Sequence, residues 1–260
     1  MPAELLRQLR VDEALKKLQD QVRAEPAVAK HRVFLFQLLC VMGRWDKALV
    51  QLNVAAEMDA GNLLMAQVCR AALECEALRA EVFAGKRQPL LLGEPAEWVG
   101  LLIQSNMLLG QGKAKPSADL RQKAMELAPV TSGKIDGNRF EWIADADGRM
   151  GPMMEAIIDG RYFWIPFTHI KKIEIEKPED LRDLVWIPAR FIWTNEGEAN
   201  ALIPTRYPGS EKSENPAIQM ARLTEWEDGE GELSIGLGQR LFATDQSEYP
   251  ILETRVIEQD

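Results

Sequence analysis

From Leu5 to about Leu127 the apolar positions return every three or four residues, the spacing of one helix face. Leu15, Leu18 and Val22 form one such stripe, and Val33, Phe36 and Cys40 another. Punctuation at Pro26, Gly43, Gly61, Pro95, Gly112 and Pro129 cuts this stretch into segments of helix-hairpin size. Beyond Pro129 the period shortens to two. Ile170 to Glu176 sets Ile173 and Ile175 on one face, Leu233, Ile235 and Leu237 alternate with small residues, and Ile251 to Ile257 reads as a last strand. Three Ile-Pro pairs, at 165–166, 187–188 and 203–204, place a residue with no amide donor where a strand ends or runs along a sheet edge. Pro178-Glu-Asp-Leu181 opens one short helix, and the polar, turn-rich 208–216 stretch reads as a mobile loop. The pattern predicts an α+β chain, with an all-α helical repeat array over residues 1–130 and a small, mostly antiparallel β-rich domain over 131–260.

The helical half repeats itself. Val11 and Trp45, Ala14 and Ala48, Leu18 and Leu52, and Pro26 and Ala60 all stand 34 residues apart, the period of a tetratricopeptide hairpin. Gly43, Trp45 and Ala48, followed by Ala55 and Asp59, fill the Gly, aromatic and small positions of that repeat. Small Ala48 and Ala55 let two helices approach, and Trp45 fills the space beside them. Gly112, Ser117, Ala124 and Pro129 match again 69 residues on, while the unit between is degenerate, with Arg79 where the aromatic belongs. Such a hairpin cannot bury its own apolar face and must stack on its neighbour, which makes a concave groove lined by the first helix of each pair. The groove positions fall at Lys30, Val33, Gln37, Gln67, Glu74, Val99 and Asn106. Grooves of this kind hold a peptide or a helix, so the array predicts a protein-binding module. A plain helical bundle with accidental periodicity is the alternative.

Charge sharpens the division. The net charge of −9 is unevenly spread over the 260 residues: the first 130 hold 17 basic and 15 acidic residues, the last 130 hold 14 and 25. An acidic half disfavours phosphate contacts, which argues against nucleic acid. The longest apolar run, Val33 to Met42, is broken by Gln37 and is half the length of a membrane span, which argues against a membrane partner. Met1 to Arg10 already carries Glu4, Arg7 and Arg10, unlike a secretion signal. Cys40, Cys69 and Cys75 lack pair spacing and suit reduced thiols, so the expected compartment is the cytoplasm.

No constellation resembles an active site. The two histidines, His31 and His169, lie in different halves, and no HExxH or His/Cys cluster suggests a metal. Asp145-Ala-Asp147-Gly148 departs from a calcium loop, with Gly in the fourth position and Ala156 in the twelfth, and fits a β-turn closing two strands. Gly236-Leu-Gly238 lacks the third glycine of a dinucleotide loop, and GxxxxGK[ST], GxSxG and SxxK are all missing. The acidic run Glu225, Glu227, Asp228, Glu230 and Glu232 reads as a solvated hairpin around Gly229, or as a steering patch for a basic partner. A hydrolase or transferase using Asp145, Asp147 and His169 would need those three to converge in one pocket.

The second half carries a string of ordered motifs. Phe140-Glu-Trp142-Ile-Ala-Asp145-Ala-Asp147-Gly-Arg149-Met-Gly151-Pro152 is followed by Glu155 and by Gly160-Arg-Tyr162-Phe-Trp164-Ile-Pro166. Leu181-Arg-Asp183, Trp186, Ala189, Pro204, Tyr207, Arg222-Leu-Thr-Glu-Trp226 and Gly238-Gln-Arg240 come next. In this order, behind degenerate helical repeats, they resemble the ImpE family, also called SciE or TagJ, over almost the whole chain. The resemblance implies a cytoplasmic, non-enzymatic, virulence-associated accessory factor of bacterial type VI secretion. It implies binding to the contractile sheath through the N-terminal helix of the small sheath subunit, TssB, and an influence on sheath disassembly by the ATPase ClpV. It brings no catalytic, cofactor or metal residues. Trp142, Trp164 and Trp186 are then expected to fill the β core, Gly151 and Gly160 to serve turns, and Lys30, Gln37, Gln67 and Asn106 to line the groove for the sheath helix. The alternative function is a general tetratricopeptide adaptor or chaperone not tied to secretion.

Overall fold

The computed structural model describes every residue except Pro95 and Glu232, so the break expected at the first and the part of the acidic run at the second lie outside the described residues. The first half folds as α1 (Pro2–Arg7), α2 (Val11–Ala24), α3 (Ala29–Val41), α4 (Trp45–Met58), α5 (Leu63–Phe83), a two-residue strand β1 (Leu90–Leu91), α6 (Glu97–Gly110) and α7 (Ala114–Leu127). Three turns share one geometry. Leu9, Gly43 and Gly112 have φ of +60°, +64° and +73°. In each turn the next amide reaches back five residues, Arg10 to Leu5, Arg44 to Leu39 and Lys113 to Leu108. These left-handed caps reverse the chain between helices, and they recur at the 34 and 69 spacings of the sequence. Ala14, Ala48 and Ser117, one turn into each second helix, are fully buried where the helices cross.

α5 departs from this plan. It runs 21 residues, straight through Arg79, because nothing between Asn62 and Gly85 breaks a helix. At Gly85 (φ +69°) it ends, and the chain continues as β1 instead of a second helix.

The second half comprises β2 (Gly133–Ile135), β3 (Asn138–Phe140), β4 (Ile143–Asp145), β5 (Met153–Ile158), β6 (Arg161–Pro166), β7 (Ile170–Ile175), β8 (Trp186–Trp193), β9 (Glu198–Pro204), a one-turn α8 (Pro216–Gln219), β10 (Thr224–Asp228), β11 (Ser234–Gly238), β12 (Leu241–Thr244), β13 (Glu248–Pro250) and β14 (Val256–Gln259). Nine strands form one sheet in the order β1-β6-β5-β9-β8-β7-β14-β2-β3. Every pairing in it is antiparallel except that of β1 with β6. β13-β12-β4 make a small second sheet and β10-β11 a separate hairpin. The large sheet is buried on both faces. Met153, Ile157, Tyr162, Trp164, Trp186 and Leu202 join the helices in one core. Met154, Ala156, Ile158, Ile165, Ile187, Phe191 and Ile203 face Phe242 and Ile143 of the second sheet in another. Helices, large sheet and small sheet therefore stack as three layers.

Several local expectations meet a different outcome. Pro166 and Pro204 end their strands, but Pro188 lies inside β8, between two neighbours. Its missing donor faces the end of β7, where Glu176 N bonds the Pro188 carbonyl and Arg255 Nη1 approaches the Glu176 carbonyl at 3.5 Å. The 208–216 segment is anchored: buried Ser210 donates to the Tyr207 carbonyl at 2.6 Å and accepts the Gly238 amide at 2.7 Å. The last strand begins only at Val256, after a turn over 251–253. Asp145 and Asp147 form two consecutive Asx turns, accepting the amides of Asp147 and Arg149 at 2.9 Å. They link β4 to β5, which belong to different sheets, and do not close a hairpin. Trp164 and Trp186 are fully buried, but Trp142, just past the edge strand β3, is 40% exposed. Gly151 and Gly160 do serve turns, at φ +50° and +72°.

Candidate functional site

The buried stripe of α5 reads Ala66, Cys69, Leu73, Glu76, Arg79 and Val82, so the helix carries two opposite charges into the interface with the sheet. β5 answers with Glu155, set on the helix-facing side between Met153 and Ile157. Arg79 donates to Glu155 through Nε at 2.5 Å and Nη2 at 3.3 Å, and its Nη2 also reaches the Arg206 carbonyl at 2.7 Å. Arg240 donates at 2.5 Å to Glu155 Oε1, the oxygen that Arg79 Nη2 also reaches, and to Asp145. Tyr162 Oη donates to Glu155 at 3.0 Å and accepts from Trp164 Nε1 at 2.6 Å. Trp186 Nε1 donates to Glu76 at 2.8 Å.

Burial would raise the Glu155 carboxyl, but the Arg79 and Arg240 guanidiniums outweigh it and take its pKa down to about 2. Asp145 goes the other way. Burial, with the nearby Asp147 and Glu155 charges, pushes it up to about 7 despite Arg240. Around the cluster, Arg206 donates to the carbonyls of Val41 (2.7 Å) and Cys40 (3.4 Å) at the C-terminus of α3, where a cation meets the negative end of the helix dipole. Burial lowers its pKa to about 10. Asn106 on α6 donates to the Arg149 carbonyl at 2.7 Å, and Arg149 grips Asp147 at 2.6 Å. Each of these side chains is hydrogen-bonded to another group inside the protein, an arrangement that ties helices to sheet. His169 donates through Nδ1 to the Leu92 carbonyl, 2.9 Å away, and shares no hydrogen bond with Asp145 or Asp147 among the described residues. No group of three or more His, Cys, Asp or Glu able to hold a metal occurs among the described residues.

The seven groove positions separate into two sets. Gln37, Val99 and Asn106 are buried, and Val33 is half-buried. The protein's own β half meets the helices at Asn106, and a partner reaches none of the three buried side chains while the halves stay together. Lys30, Gln67 and Glu74 are exposed. Gln67 lines a cleft of about 860 Å³ between α5 and the sheet, together with Leu64, Val68, Ile157, Pro188 and Leu202. Reasoning from the repeat missed Leu64 and Val68, although Leu63-Leu64 and Val68 fall outside the buried stripe and make α5 apolar on a second face. No helix among the described residues is long and apolar enough to cross a membrane.

Comparison with known proteins now bears on this architecture. A family model described as ImpE protein matches residues 137–258. The type VI secretion system accessory component TagJ of Pseudomonas aeruginosa is 45% identical over 98% of this chain and 89% of its own length. The crystal structure of protein VPA1032 from Vibrio parahaemolyticus superposes with a TM-score of 0.88 at 25% identity, covering 100% of this chain and 97% of that one. Identity at this level, running through the helices as well as the sheet, establishes that the chain belongs to the ImpE family.

Proposed function

We propose that the protein is a non-enzymatic accessory factor of a bacterial type VI secretion system, working in the cytoplasm on the contractile sheath. In this reading it holds the N-terminal helix of the small sheath subunit, TssB, and so modulates sheath assembly or its disassembly by ClpV. The observation that carries the proposal is the 45% identity to TagJ over 98% of the chain. The polar chemistry supports it, since buried Arg79 of α5 is paired with Glu155 of β5 across the helix–sheet interface. We read α1–α2, α3–α4 and α6–α7 as tetratricopeptide-like pairs within a helical unit of residues 1–130, and residues 131–260 as the ImpE-type β unit. With Gln37, Val99 and Asn106 buried, this reading puts the partner on surfaces that remain open, among them the one carrying Gln67. Calorimetric titration with a peptide of the cognate TssB N-terminal helix tests the reading. Saturable one-to-one binding, abolished when the peptide's apolar face is made polar, is the expected result. Absence of binding at high micromolar peptide overturns the TssB assignment.

A further inference from the structure

On the second face of α5, Leu63, Leu64 and Val68 are 54%, 75% and 44% exposed. Leu64, Val68 and Ala71 follow one another at i, i+4 and i+7, a line along the helix. Single exposed apolar residues need no explanation, whereas a line of them beside an apolar cleft marks a contact surface. The far wall of the 860 Å³ cleft is the sheet, with Ile157 of β5, Pro188 of β8, and Ala201 and Leu202 of β9. One end is closed by the β5–β6 turn, where Cys75 Sγ donates to the Gly160 carbonyl at 3.4 Å and a Cβ on Gly160 would stand 3.1 Å from that of Ala71.

Two observations say what fits. First, β5, β8 and β9 each have hydrogen-bonded neighbours on both sides. Ile157, Pro188 and Leu202, which wall the cleft, are themselves paired across those strands, so an extended peptide laid on them would bury unpaired amides, whereas a helix brings its own hydrogen bonds. Second, the lining is acidic. Asp159 and Glu176 have no salt-bridge partner among the described residues, while the lining base, Arg182, is already held by Asp180 at 3.1 Å and Asp183 at 3.4 Å.

We propose that this cleft seats an amphipathic α-helix of a partner protein, laid along α5 with its apolar stripe on Leu64, Val68 and Leu202 and its Lys or Arg side chains at Asp159 and Glu176. The inference rests on the sheath-helix reading and adds the place where that helix lies. The test uses the full chain and a fluorescent peptide of the cognate TssB N-terminal helix, followed by anisotropy at low and high salt. Leu64→Glu with Val68→Glu weakens binding at least tenfold or so. Asp159→Asn with Glu176→Gln weakens it a few-fold and flattens the salt dependence. Val50→Glu, on the exposed outer side of α4, leaves binding unchanged. Hydrogen exchange on the unaltered protein, with and without peptide, needs no variant; new protection is expected at 64–71 and 157–160. Binding by the parent chain that both cleft variants retain, or protection confined to other segments, overturns the cleft and leaves the sheath-helix reading intact. If the parent chain does not bind, the reading and the cleft fall together.

Discussion

Glu155 receives hydrogen bonds from two guanidiniums and a phenol in a site that water does not reach. Glu155→Gln removes the carboxylate shared by buried Arg79 and Arg240 and leaves them only Glu76 and Asp145 as counter-charges. Breaking a buried pair from one side costs about 3–5 kcal/mol, so the variant is expected to unfold at a much lower urea midpoint with the slope of the transition unchanged. Acid sensitivity follows from the same cluster. The native Glu155 carboxyl titrates at about 2 against an ordinary 4.5, so its contribution is complete above the upper value and is lost as pH falls toward the lower. Asp145 works with the opposite sign. Its native pKa of about 7 lies above the ordinary 3.8, so between those values the folded state holds a proton that the unfolded chain has released, and stability is lost as pH rises through that window. The melting temperature is therefore expected to climb from pH 2 to about 4.5 and then to decline toward pH 7. Asp145→Asn should remove the decline and keep the climb, which thermal melts by circular dichroism at fixed ionic strength will show.

Helix-to-helix turns show what the sequence pattern made legible and what it hid. Gly43 and Gly112 announced their turns because glycine takes the left-handed conformation of the cap at no steric cost. Leu9 occupies the same conformation without that advantage, so the first turn was visible only through the 34-residue offset. At Gly112 a Cβ would meet nothing within 4 Å, and Gly112→Ala should cost about 1 kcal/mol from backbone conformation alone. At Gly85 the same Cβ would stand 2.7 Å from the Met107 carbonyl oxygen and 3.0 Å from its Cα, both backbone, so Gly85→Ala should cost clearly more. Denaturant midpoints of the two variants, compared side by side, decide this. α5 stayed hidden for a different reason. A repeat template asks for an aromatic at position 79 and treats Arg79 as decay, yet Arg79 shares its helix face with Ala66, Cys69, Leu73 and Glu76. Charges on an apolar stripe are the mark of a buried partner of opposite sign, and Glu155 is that partner. Trp142 and the 208–216 segment were misjudged from residue type. An aromatic beside a short edge strand has no layer to cover it, and one buried serine hydroxyl is enough to pin a polar loop.

What periodicity could not convey is that the two halves share a core. Trp164, Trp186 and Leu202 of the sheet belong to the same apolar cluster as Phe36, Leu52 and Cys69 of the helices, and β1, cut from the helical half, extends the sheet beside β6. A groove deduced from stacked hairpins presumes an open concave face, and here Asn106 on that face is bonded to Arg149 of the β half. The contact surface proposed above lies instead on the second face of α5, which the hairpin template does not describe. Shared burial also fixes how the protein unfolds. Detaching the helices would strip Glu155 of Arg79, Glu76 of Trp186 and the end of α3 of Arg206, each leaving buried polar groups unpaired at about 1–3 kcal/mol or more apiece. No intermediate with one folded half escapes those penalties. Helical circular dichroism at 222 nm and Trp fluorescence, to which the five tryptophans of the second half contribute beside Trp45 and Trp98 of the helices, should therefore trace one coincident urea transition, and the calorimetric and van't Hoff enthalpies should agree. Two separated transitions, with the helical signal surviving the loss of the Trp signal, would show that the repeats stand without the sheet and that the charge cluster only fastens two independent bodies.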